Sequence, residues 1–335
     1  MDKIYVMVVS ALDEEYLRQI AGVSPRIEVL NGAKIWSMPD MLAGEHESDC
    51  TDKEYEDMLA RAGVIYGYRL PPNVIARAPR LKWVQGMLAG AEHILTDEII
   101  RSPVLLTNMR GIHSSPVSEV ALELMLMLAK QAPACFRAKQ EKKWQRFVPV
   151  LFRSQTVGIV GLGHIGKEIA RLTKAFGARV LAADISFRKV TSARNVDVAY
   201  PVGQLDSLLS ESDFVVLALP LTPETTGIIG EKQLKIMKPT AYLVNVGRGP
   251  TVDEAAMIRA LEEGWIAGAG LDVFTTEPLP VDHKLWELPN VFFSPHISGR
   301  LQNYNEVTTT LFCENLRRYV AGKKLLNLVN KQKGF

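Results

Sequence analysis

The chain has 335 residues, 47% hydrophobic and 23% charged, and 39 basic against 37 acidic residues give a formal charge of +2. This length predicts two domains, and the balanced charge gives no indication of a nucleic-acid or membrane-surface partner. Cys50, Cys135 and Cys313 are too scattered for a disulfide framework or a zinc site, so no metal is expected. No apolar run spans a bilayer and no signal-peptide pattern is seen, so the cytoplasm is the expected location.

Over roughly the first 110 residues, short apolar runs alternate with polar stretches compatible with helices. The predicted strands are residues 4–9, 64–68, 82–87 and 104–107, with helical segments such as DKEYEDMLARAG between them. Strands that alternate with helices are typical of a parallel sheet covered on both faces.

A long apolar helix is predicted next, with Ser115 as its N-cap, Pro116 at its first position and an end or kink at Pro133. Its apolar residues exceed the single stripe expected of a helix that packs on one body. Two interpretations stay open for the region 115–150: it packs between domains or subunits, or it is ordinary core.

From Thr156 onward the alternation of strands and helices becomes regular. The predicted strands are residues 157–160, 179–183, 214–219, 241–246, 268–273 and 291–294. Six such strands match the doubly wound parallel sheet that binds dinucleotides. If the last helical segment, NEVTTTLFCENLRRYVAG, packs back on the first domain, the nucleotide domain is an insertion. The predicted domains are therefore 1–112 with 300–335, and 113–299.

A dinucleotide fingerprint opens this second domain. Gly161, Gly163 and Gly166 form G-x-G-x-x-G between a predicted strand and a predicted helix. In that pattern the glycines permit a tight turn, close approach of a pyrophosphate, and close packing of the helix on its strand. The N–H groups at the helix start, around His164 and Ile165, would face the phosphates.

Asp184 ends the second strand of this domain, about twenty residues beyond the glycines, as the fingerprint requires. Its carboxylate can accept hydrogen bonds from the adenosine ribose hydroxyls and would repel a 2′-phosphate. The expected cofactor is therefore NAD, while the nearby Arg188 and Lys189 leave NADP possible.

Three further residues follow predicted strands of the same sheet: Arg248, Glu277 and His296. Ligands of open α/β sheets bind beyond the carboxyl ends of the strands, so these side chains are expected to meet in one crevice. An arginine can bind a substrate carboxylate through two parallel hydrogen bonds. A histidine can donate or accept the hydroxyl proton that accompanies hydride transfer, and a carboxylate on its other ring nitrogen fixes its tautomer. These residue types indicate chemistry on 2-keto and 2-hydroxy acids.

The sequence resembles the D-isomer-specific 2-hydroxyacid dehydrogenases. The matching stretches are VGIVGLGHIG, LPLTPET at 219–225, VNVGRGPTVDEAAMIRAL at 244–261, GAGLDVFTTEPLP at 268–280 and SPHISG at 294–299. LKWVQGMLAGAEHI and SEVALELMLMLA also fit the family's pattern, so the resemblance runs through nearly the whole chain.

The resemblance implies a flavodoxin-like substrate domain and a Rossmann domain with the active site between them. It implies that Arg248 binds the substrate carboxylate, that His296 is the acid/base and that Glu277 orients it. It also implies a set of cofactor and substrate contacts: Asp272 and the backbone of Val246, Gly247 and Arg248 near the nicotinamide, Leu219 and Pro220 along the cofactor, His296 as a further cofactor contact, and the amides of Leu88, Ala89 and Gly90 on the substrate carboxylate. Homodimers are common in the family.

The predicted function is NAD-dependent interconversion of a small 2-keto acid and its D-2-hydroxy acid. An NAD(H)-sensing, corepressor-like protein on the same fold is the alternative. A formate-type dehydrogenase is disfavoured, because a histidine–glutamate pair suits a proton transfer that formate oxidation does not need. The family often has Ser or Gly where Leu88 stands and Asp where Glu92 stands, so the particular acid stays open.

Overall fold

A computed structural model describes residues 3–34, 53–91, 93–332 and 334 of the chain, so Cys50 and Glu92 lie outside the described residues. Internal contacts divide the chain into two compact units. Unit 1 consists of Met1–Ile112 with Leu301–Phe335, and unit 2 is His113–Arg300. Within the described residues, no helix is both long enough and apolar enough to cross a membrane.

Unit 1 is built on a parallel sheet. Its strands are β1 (Ile4–Val8), β2 (Ile27–Asn31), β3 (Val64–Gly67), β4 (Trp83–Gly86) and β5 (Leu105–Thr107). Its first helices are α1 (Glu14–Ala21), α2 (Lys53–Arg61), α3 (Val74–Arg77) and α4 (Asp97–Arg101). The strand order is β2-β1-β3-β4-β5, which is the flavodoxin order, so the predicted fold class of this unit is confirmed.

Strand β2 is absent from the predicted strands, and its composition explains why. It lies at the edge of the sheet, and only Ile27 and Leu30 of its five residues are buried. Glu28 points to solvent and forms ion pairs with Lys3 and Arg61. A strand that buries so little carries a weak apolar pattern.

Unit 2 contains a larger sheet. Its strands are β6 (Thr156–Val160), β7 (Arg179–Ala183), β8 (Thr191–Ala193), β9 (Val196–Tyr200), β10 (Phe214–Leu217), β11 (Tyr242–Asn245), β12 (Gly268–Leu271) and β13 (Val291–Phe293). The order is β13-β12-β11-β10-β6-β7-β9-β8, and only the β8–β9 pair is antiparallel. This is a doubly wound Rossmann sheet, as predicted.

The prediction of six strands for this unit was incomplete. It omitted β8 and β9, although β9 pairs with β7 and corresponds to strand 3 of the Rossmann strand order 3-2-1-4-5-6. The polar residues that surround β9 explain the omission, since ARNVDVAY interrupts its apolar positions with Asn195 and Asp197. Asp197 nevertheless suits its position, because its carboxylate accepts the Val180 amide of β7 at 2.8 Å and binds Lys174.

Helices cover the sheet of unit 2. They are α5 (Ser114–Ala129), α6 (Ala132–Gln140), α7 (His164–Ala175), α8 (Leu205–Glu211), α9 (Glu231–Ile236) and α10 (Glu254–Glu262). Short 3₁₀ helices of the chain are Gly32–Lys34, Phe152–Ser154, Val202–Gln204, Gly249–Thr251 and Lys284–Trp286. Asp253 caps α10 by accepting a hydrogen bond from the Ala256 amide at 3.0 Å.

The predicted ends of α5 were wrong by a few residues. The helix begins at Ser114, with His113 rather than Ser115 at the N-cap, and it ends at Ala129. Pro133 does not break it, since that residue lies in the first turn of α6, where proline is tolerated. The buried face of α5, which includes Leu124 and Met125, packs on α7 and on strands β11 and β12 of its own unit.

The last helix, α11 (Tyr304–Val320), belongs to unit 1. Buried polar side chains join it to β4 and β5. Asn315 Nδ2 donates to Gln85 Oε1 at 2.9 Å, and the Thr107 hydroxyl donates to the same oxygen at 2.8 Å. The indole of Trp83 in turn donates to the Thr107 hydroxyl at 2.7 Å. A network in which these buried groups are satisfied fixes the helix on the sheet in a single arrangement.

Candidate active site

One edge of the unit 2 sheet gathers most of the predicted site residues. The parallel strands end in register, with paired last residues Ala183, Val160, Leu217, Asn245, Leu271 and Phe293. The loops that follow these strands therefore leave the sheet at the same edge, where ligands of open α/β sheets bind.

The glycine turn follows β6 and leads into α7. Gly161 has a φ of 94°, which favours glycine, and a Cβ there would lie 2.8 Å from the Ala218 carbonyl oxygen. A Cβ on Gly166 would lie 2.0 Å from the Gly161 carbonyl oxygen, so this glycine lets the helix pack against the turn. Around Gly163, by contrast, a Cβ would meet nothing within 4 Å. The turn thus has open space beside the start of α7, where His164 and Ile165 form the first turn of the helix at the positive end of its dipole.

Asp184 lies directly after β7 and next to this turn. Its carboxylate accepts hydrogen bonds from the amides of Leu162 at 2.7 Å and Ser186 at 2.9 Å. Partial burial raises the pKa of Asp184, but the hydrogen bonds from Ser186 and Leu162 and the charge of Lys167 outweigh it, so the net pKa is lowered. The side chain is therefore an anion that also braces the glycine turn.

Two further loops border the glycine turn. Leu219 follows β10, and a Cβ on Gly161 would lie 2.9 Å from its side chain. On its other side, a Cβ on Gly247 would lie 2.8 Å from the Leu219 carbonyl oxygen. Leu219 therefore lies between the glycine turn and the loop after β11, which contains the buried Val246, and it leads into the exposed Pro220. The predicted cofactor residues of these loops are neighbours along the sheet edge.

His296 and Glu277 form a direct pair. The imidazole Nδ1 lies 2.6 Å from Glu277 Oε2, and the other carboxylate oxygen accepts the Phe274 amide at 2.9 Å. The two side chains are 46% and 36% exposed, so the pair is open to a ligand. Since a carboxylate oxygen only accepts, Nδ1 carries a proton and Nε2 is left to exchange one.

The loop that carries His296 is held by a buried carboxylate. Asp272 is completely buried directly after β12, and its Oδ1 accepts from the Ser294 hydroxyl at 2.7 Å and the Ile297 amide at 3.0 Å. The Ser298 amide donates to both of its oxygens. His296 adopts a left-handed φ of 51°, an unfavourable conformation that these hydrogen bonds on the following residues maintain. The buried carboxylate thus orients the catalytic candidate's loop from behind.

Arg248 lies on the neighbouring loop, after β11. Its guanidinium donates to the Gly247 carbonyl at 2.8 Å, and its carbonyl accepts from the Thr251 hydroxyl at 2.6 Å. The next residue, Gly249, packs so tightly on Phe274 that a Cβ would lie 2.0 Å from the Phe274 carbonyl. The Arg248 loop therefore contacts the loop that carries Glu277.

His113 is a site neighbour that the sequence did not single out. Its ring lies under the His296 loop, where a Cβ on Gly299 would be 3.4 Å from its Nδ1. Burial and the positive charge of Arg248 lower the pKa of His113, against a backbone hydrogen bond with Gly299 that raises it. His113 belongs to no sequence motif, and its position just before α5 does not by itself point to the site.

The remaining predicted residues, Leu88, Ala89 and Gly90, belong to unit 1, where they follow β4. All three are partly exposed.

Known proteins match this chain over most of its length. Residues 122–298 match the NAD binding domain of the D-isomer specific 2-hydroxyacid dehydrogenases. A glyoxylate reductase from Thermococcus gammatolerans is 38% identical over 273 residues, which is 79% of this chain and 80% of that protein.

Solved structures resemble the whole chain. One is a D-isomer specific 2-hydroxyacid dehydrogenase from Xanthobacter autotrophicus in complex with NADPH and MES, with a TM-score of 0.80, 29% identity and complete coverage of both chains. Another is an NADPH-dependent glyoxylate/hydroxypyruvate reductase from Sinorhizobium meliloti in complex with NADP and sulfate, with a TM-score of 0.80 and 27% identity over 99% of this chain and all of that one.

The fold and the sheet-edge loops define a dinucleotide-binding protein of the two-domain α/β class. The chain belongs to the D-isomer specific 2-hydroxyacid dehydrogenase family. The expectations of this family and of a nicotinamide dinucleotide cofactor, NAD or NADP, are therefore confirmed.

Proposed function

We propose that the protein is an NAD-dependent oxidoreductase that interconverts a small 2-keto acid and its D-2-hydroxy acid. The observation that carries the proposal is the His296–Glu277 pair, with 2.6 Å between Nδ1 and Oε2, at the sheet edge that also holds the glycine turn. A proton-transfer pair beside a dinucleotide site is what reduction of a carbonyl requires.

A dinucleotide held at the glycine turn and Asp184 would supply the hydride that reduction of a 2-keto acid needs. His296 then donates its Nε2 proton to the carbonyl oxygen, which becomes the hydroxyl of the product. Glu277 keeps the proton on Nδ1 and stabilises the imidazolium form that donates. In oxidation the same imidazole accepts the hydroxyl proton.

Substrate binding is assigned to two sets of donors. Arg248 suits the carboxylate, since a guanidinium matches that group with two parallel hydrogen bonds. The amides of Leu88, Ala89 and Gly90 are assigned to the same carboxylate. Together they select acids that carry a carboxylate next to the reacting carbon.

For the cofactor, we propose a preference for NAD over NADP. The lowered pKa of Asp184 supports this, because the anion after β7 repels a 2′-phosphate and accepts hydrogen bonds from ribose hydroxyls. The ratio of kcat/KM with NADH to that with NADPH tests the preference. Asp184→Ser is expected to shift this ratio toward NADPH, and an unchanged ratio would contradict the assignment.

Glyoxylate and hydroxypyruvate are the first substrates to test, since relatives carry the names glyoxylate reductase and glyoxylate/hydroxypyruvate reductase. The test follows NADH oxidation by absorbance with a panel of 2-keto acids and compares the parent with His296→Ala. Turnover by the parent and its loss in the variant are expected. Cofactor binding by a parent without turnover would favour the sensor alternative.

We also propose a homodimer in the cytoplasm. The segment after α6 exposes large apolar side chains, among them Trp144 at 93%, Val148 at 86% and Leu151 at 60%. Exposed apolar groups clustered in one segment mark an interaction surface. Sedimentation of the parent is expected to give a dimer, and the double variant Trp144→Asp/Val148→Asp is expected to be a monomer.

The cytoplasmic location is supported by the free thiols of Cys135 and Cys313.

A further inference from the structure

The backbone carbonyls of the loop after β4 are fixed by hydrogen bonds from the rest of unit 1. Three successive carbonyl oxygens each accept a hydrogen bond from another segment of unit 1: that of Met87 from the Tyr304 hydroxyl, that of Leu88 from the Met109 amide at 2.9 Å, and that of Ala89 from Asn108 Nδ2 at 2.6 Å. The peptides between residues 87 and 90 are trans. In a trans peptide the C=O and the N–H point in opposite directions.

The three amides that belong to these peptides therefore point away from the donors. They are the N–H groups of Leu88, Ala89 and Gly90, and none of them has an acceptor within the described part of the chain. All three residues are partly exposed, whereas the preceding Met87 is buried. Backbone N–H groups that lack an internal acceptor are satisfied by water or by a ligand, and successive N–H groups that point to one side can bind an anion.

We propose that Tyr304 and Asn108 are positioning residues that hold the amides of residues 88–90 in the geometry that binds the substrate carboxylate. This inference rests on the proposed function. Neither side chain is assigned a contact with substrate, because each one acts through a carbonyl of the loop.

Tyr304 is well placed for this role. It is the first residue of α11, and its ring stacks on Tyr68 with centroids 6.1 Å apart and 21° between the planes. The hydroxyl must donate, since a carbonyl oxygen only accepts. Burial raises the pKa of Tyr304, so the hydroxyl stays protonated over the working pH range. Because α11 is fixed to the sheet through Asn315, the donor keeps its position.

Asn108 is held equally firmly from the other side. It is 5% exposed, and its Oδ1 accepts the Arg110 amide at 3.2 Å while its Nδ2 donates to Ala89. Its own carbonyl accepts from Asn327 Nδ2 at 3.3 Å. These contacts define which end of the side-chain amide is the donor. An aspartate would keep the Arg110 contact and lose the bond to Ala89.

The first test uses Tyr304→Phe, which keeps the ring and removes the donor. Tyr319→Phe is its control, since Tyr319 lies on the same helix but packs on Trp83. Tyr304→Phe is expected to raise KM for glyoxylate about fivefold, the size of one neutral hydrogen bond, with kcat within about twofold. Asn108→Asp is expected to raise KM about twentyfold, because it also sets a negative charge near the anion.

A binding measurement separates positioning from a general structural role. Oxamate, an unreactive carboxylate analogue, is titrated calorimetrically into each protein with saturating NADH. Its Kd is expected to rise in parallel with KM, while the Kd of NADH and the melting temperature match those of Tyr319→Phe. If Tyr304→Phe and Asn108→Asp show a lower NADH affinity and a lower melting temperature along with the raised KM, the inference is overturned, because such a result marks general damage to the fold.

The outcomes also separate this inference from the proposed function. A parent that reduces glyoxylate, with Tyr304→Phe and Asn108→Asp unchanged in KM and oxamate affinity, overturns the positioning role and leaves the function. A parent that binds oxamate more tightly than both variants but reduces no 2-keto acid overturns the function and supports the positioning role. A parent that neither reduces keto acids nor binds oxamate overturns both.

Discussion

Glu277→Gln tests the proton-transfer pair at its most specific point. Glu277 uses both oxygens as acceptors, one for the Phe274 amide at 2.9 Å and one for His296 Nδ1 at 2.6 Å. A glutamine offers one acceptor oxygen and must direct its NH₂ group at one of these two donors. If the NH₂ faces the imidazole, the ring takes the tautomer with Nδ1 unprotonated, and the neutral ring is a poor proton donor at Nε2.

The size of the effect follows from the exposure of the pair. A hydrogen bond to a charged group contributes about 1.5–3 kcal/mol, and the lower part of that range applies because the side chains are 46% and 36% exposed. Since about 1.4 kcal/mol is a factor of ten in rate, kcat/KM for glyoxylate reduction should fall roughly 10- to 30-fold. The NADH Kd, measured by fluorescence titration, should stay within about twofold, as Glu277 is not assigned to cofactor binding.

The control for this variant is Glu287→Gln, a similar change at an exposed position of the same unit. It should keep the parent's kcat/KM. A Glu277→Gln enzyme that retains more than half of the parent's kcat/KM would refute the assignment of His296 and Glu277 as the acid/base pair.

Three further predictions follow from other contacts. Gly163→Ala should keep the parent's melting temperature but bind NADH at least tenfold more weakly. Gly166→Ala should lower both the melting temperature and the NADH affinity, because its Cβ would lie 2.0 Å from the Gly161 carbonyl oxygen. Calorimetry of both variants checks this, and equal melting temperatures would contradict it. Asn315→Leu should lower the melting temperature by about 5 °C or more, since it leaves buried partners unsatisfied, and an unchanged value would show that the network is dispensable. Hydrogen bonds lower the pKa of Asp184 in the folded protein, so the stabilisation it provides is present above the pKa of the unfolded chain and is lost as the pH falls. The unfolding free energies of the parent and of Asp184→Asn should therefore converge below about pH 4. A difference that grows toward acid pH would contradict this.

The sequence predicted the sheets where strands are buried on both faces. Strands such as β6, β10 and β12 are continuous apolar runs, and the residues after them carry the chemistry, so motif and position agree. The edge strands β2 and β8 and the five-residue strand β9 were missed, because polar residues interrupt their apolar positions. A local pattern records burial, and β2 and β8 bury few of their side chains, whereas β9 buries three of its five residues but carries the exposed Asp197 among them.

The site residues divide in the same manner. Glycine spacing and the residue types at strand ends identified the glycine turn and the pair of His296 with Glu277, whose contact the structure describes. The partnership of Tyr304 with Met87 joins residues 217 positions apart and has no motif, so only coordinates reveal it. His113 was passed over for a similar reason, since its contact with Gly299 depends on how α5 packs.

The two loops assigned to substrate chemistry are supported from behind by buried polar side chains of opposite kind. Asp272 accepts from amides of the loop that carries His296, and it therefore suits a loop whose functional group is a side chain. Asn108 donates to a carbonyl of the loop that carries Leu88, Ala89 and Gly90, and it therefore leaves amides to face outward. Each peptide has its C=O and its N–H in opposite directions. A donor in place of Asp272 would turn the amides of its loop toward solvent, and an acceptor in place of Asn108 would turn the carbonyls of its loop toward solvent. The identity of the supporting side chain thus determines whether its loop can bind an anion.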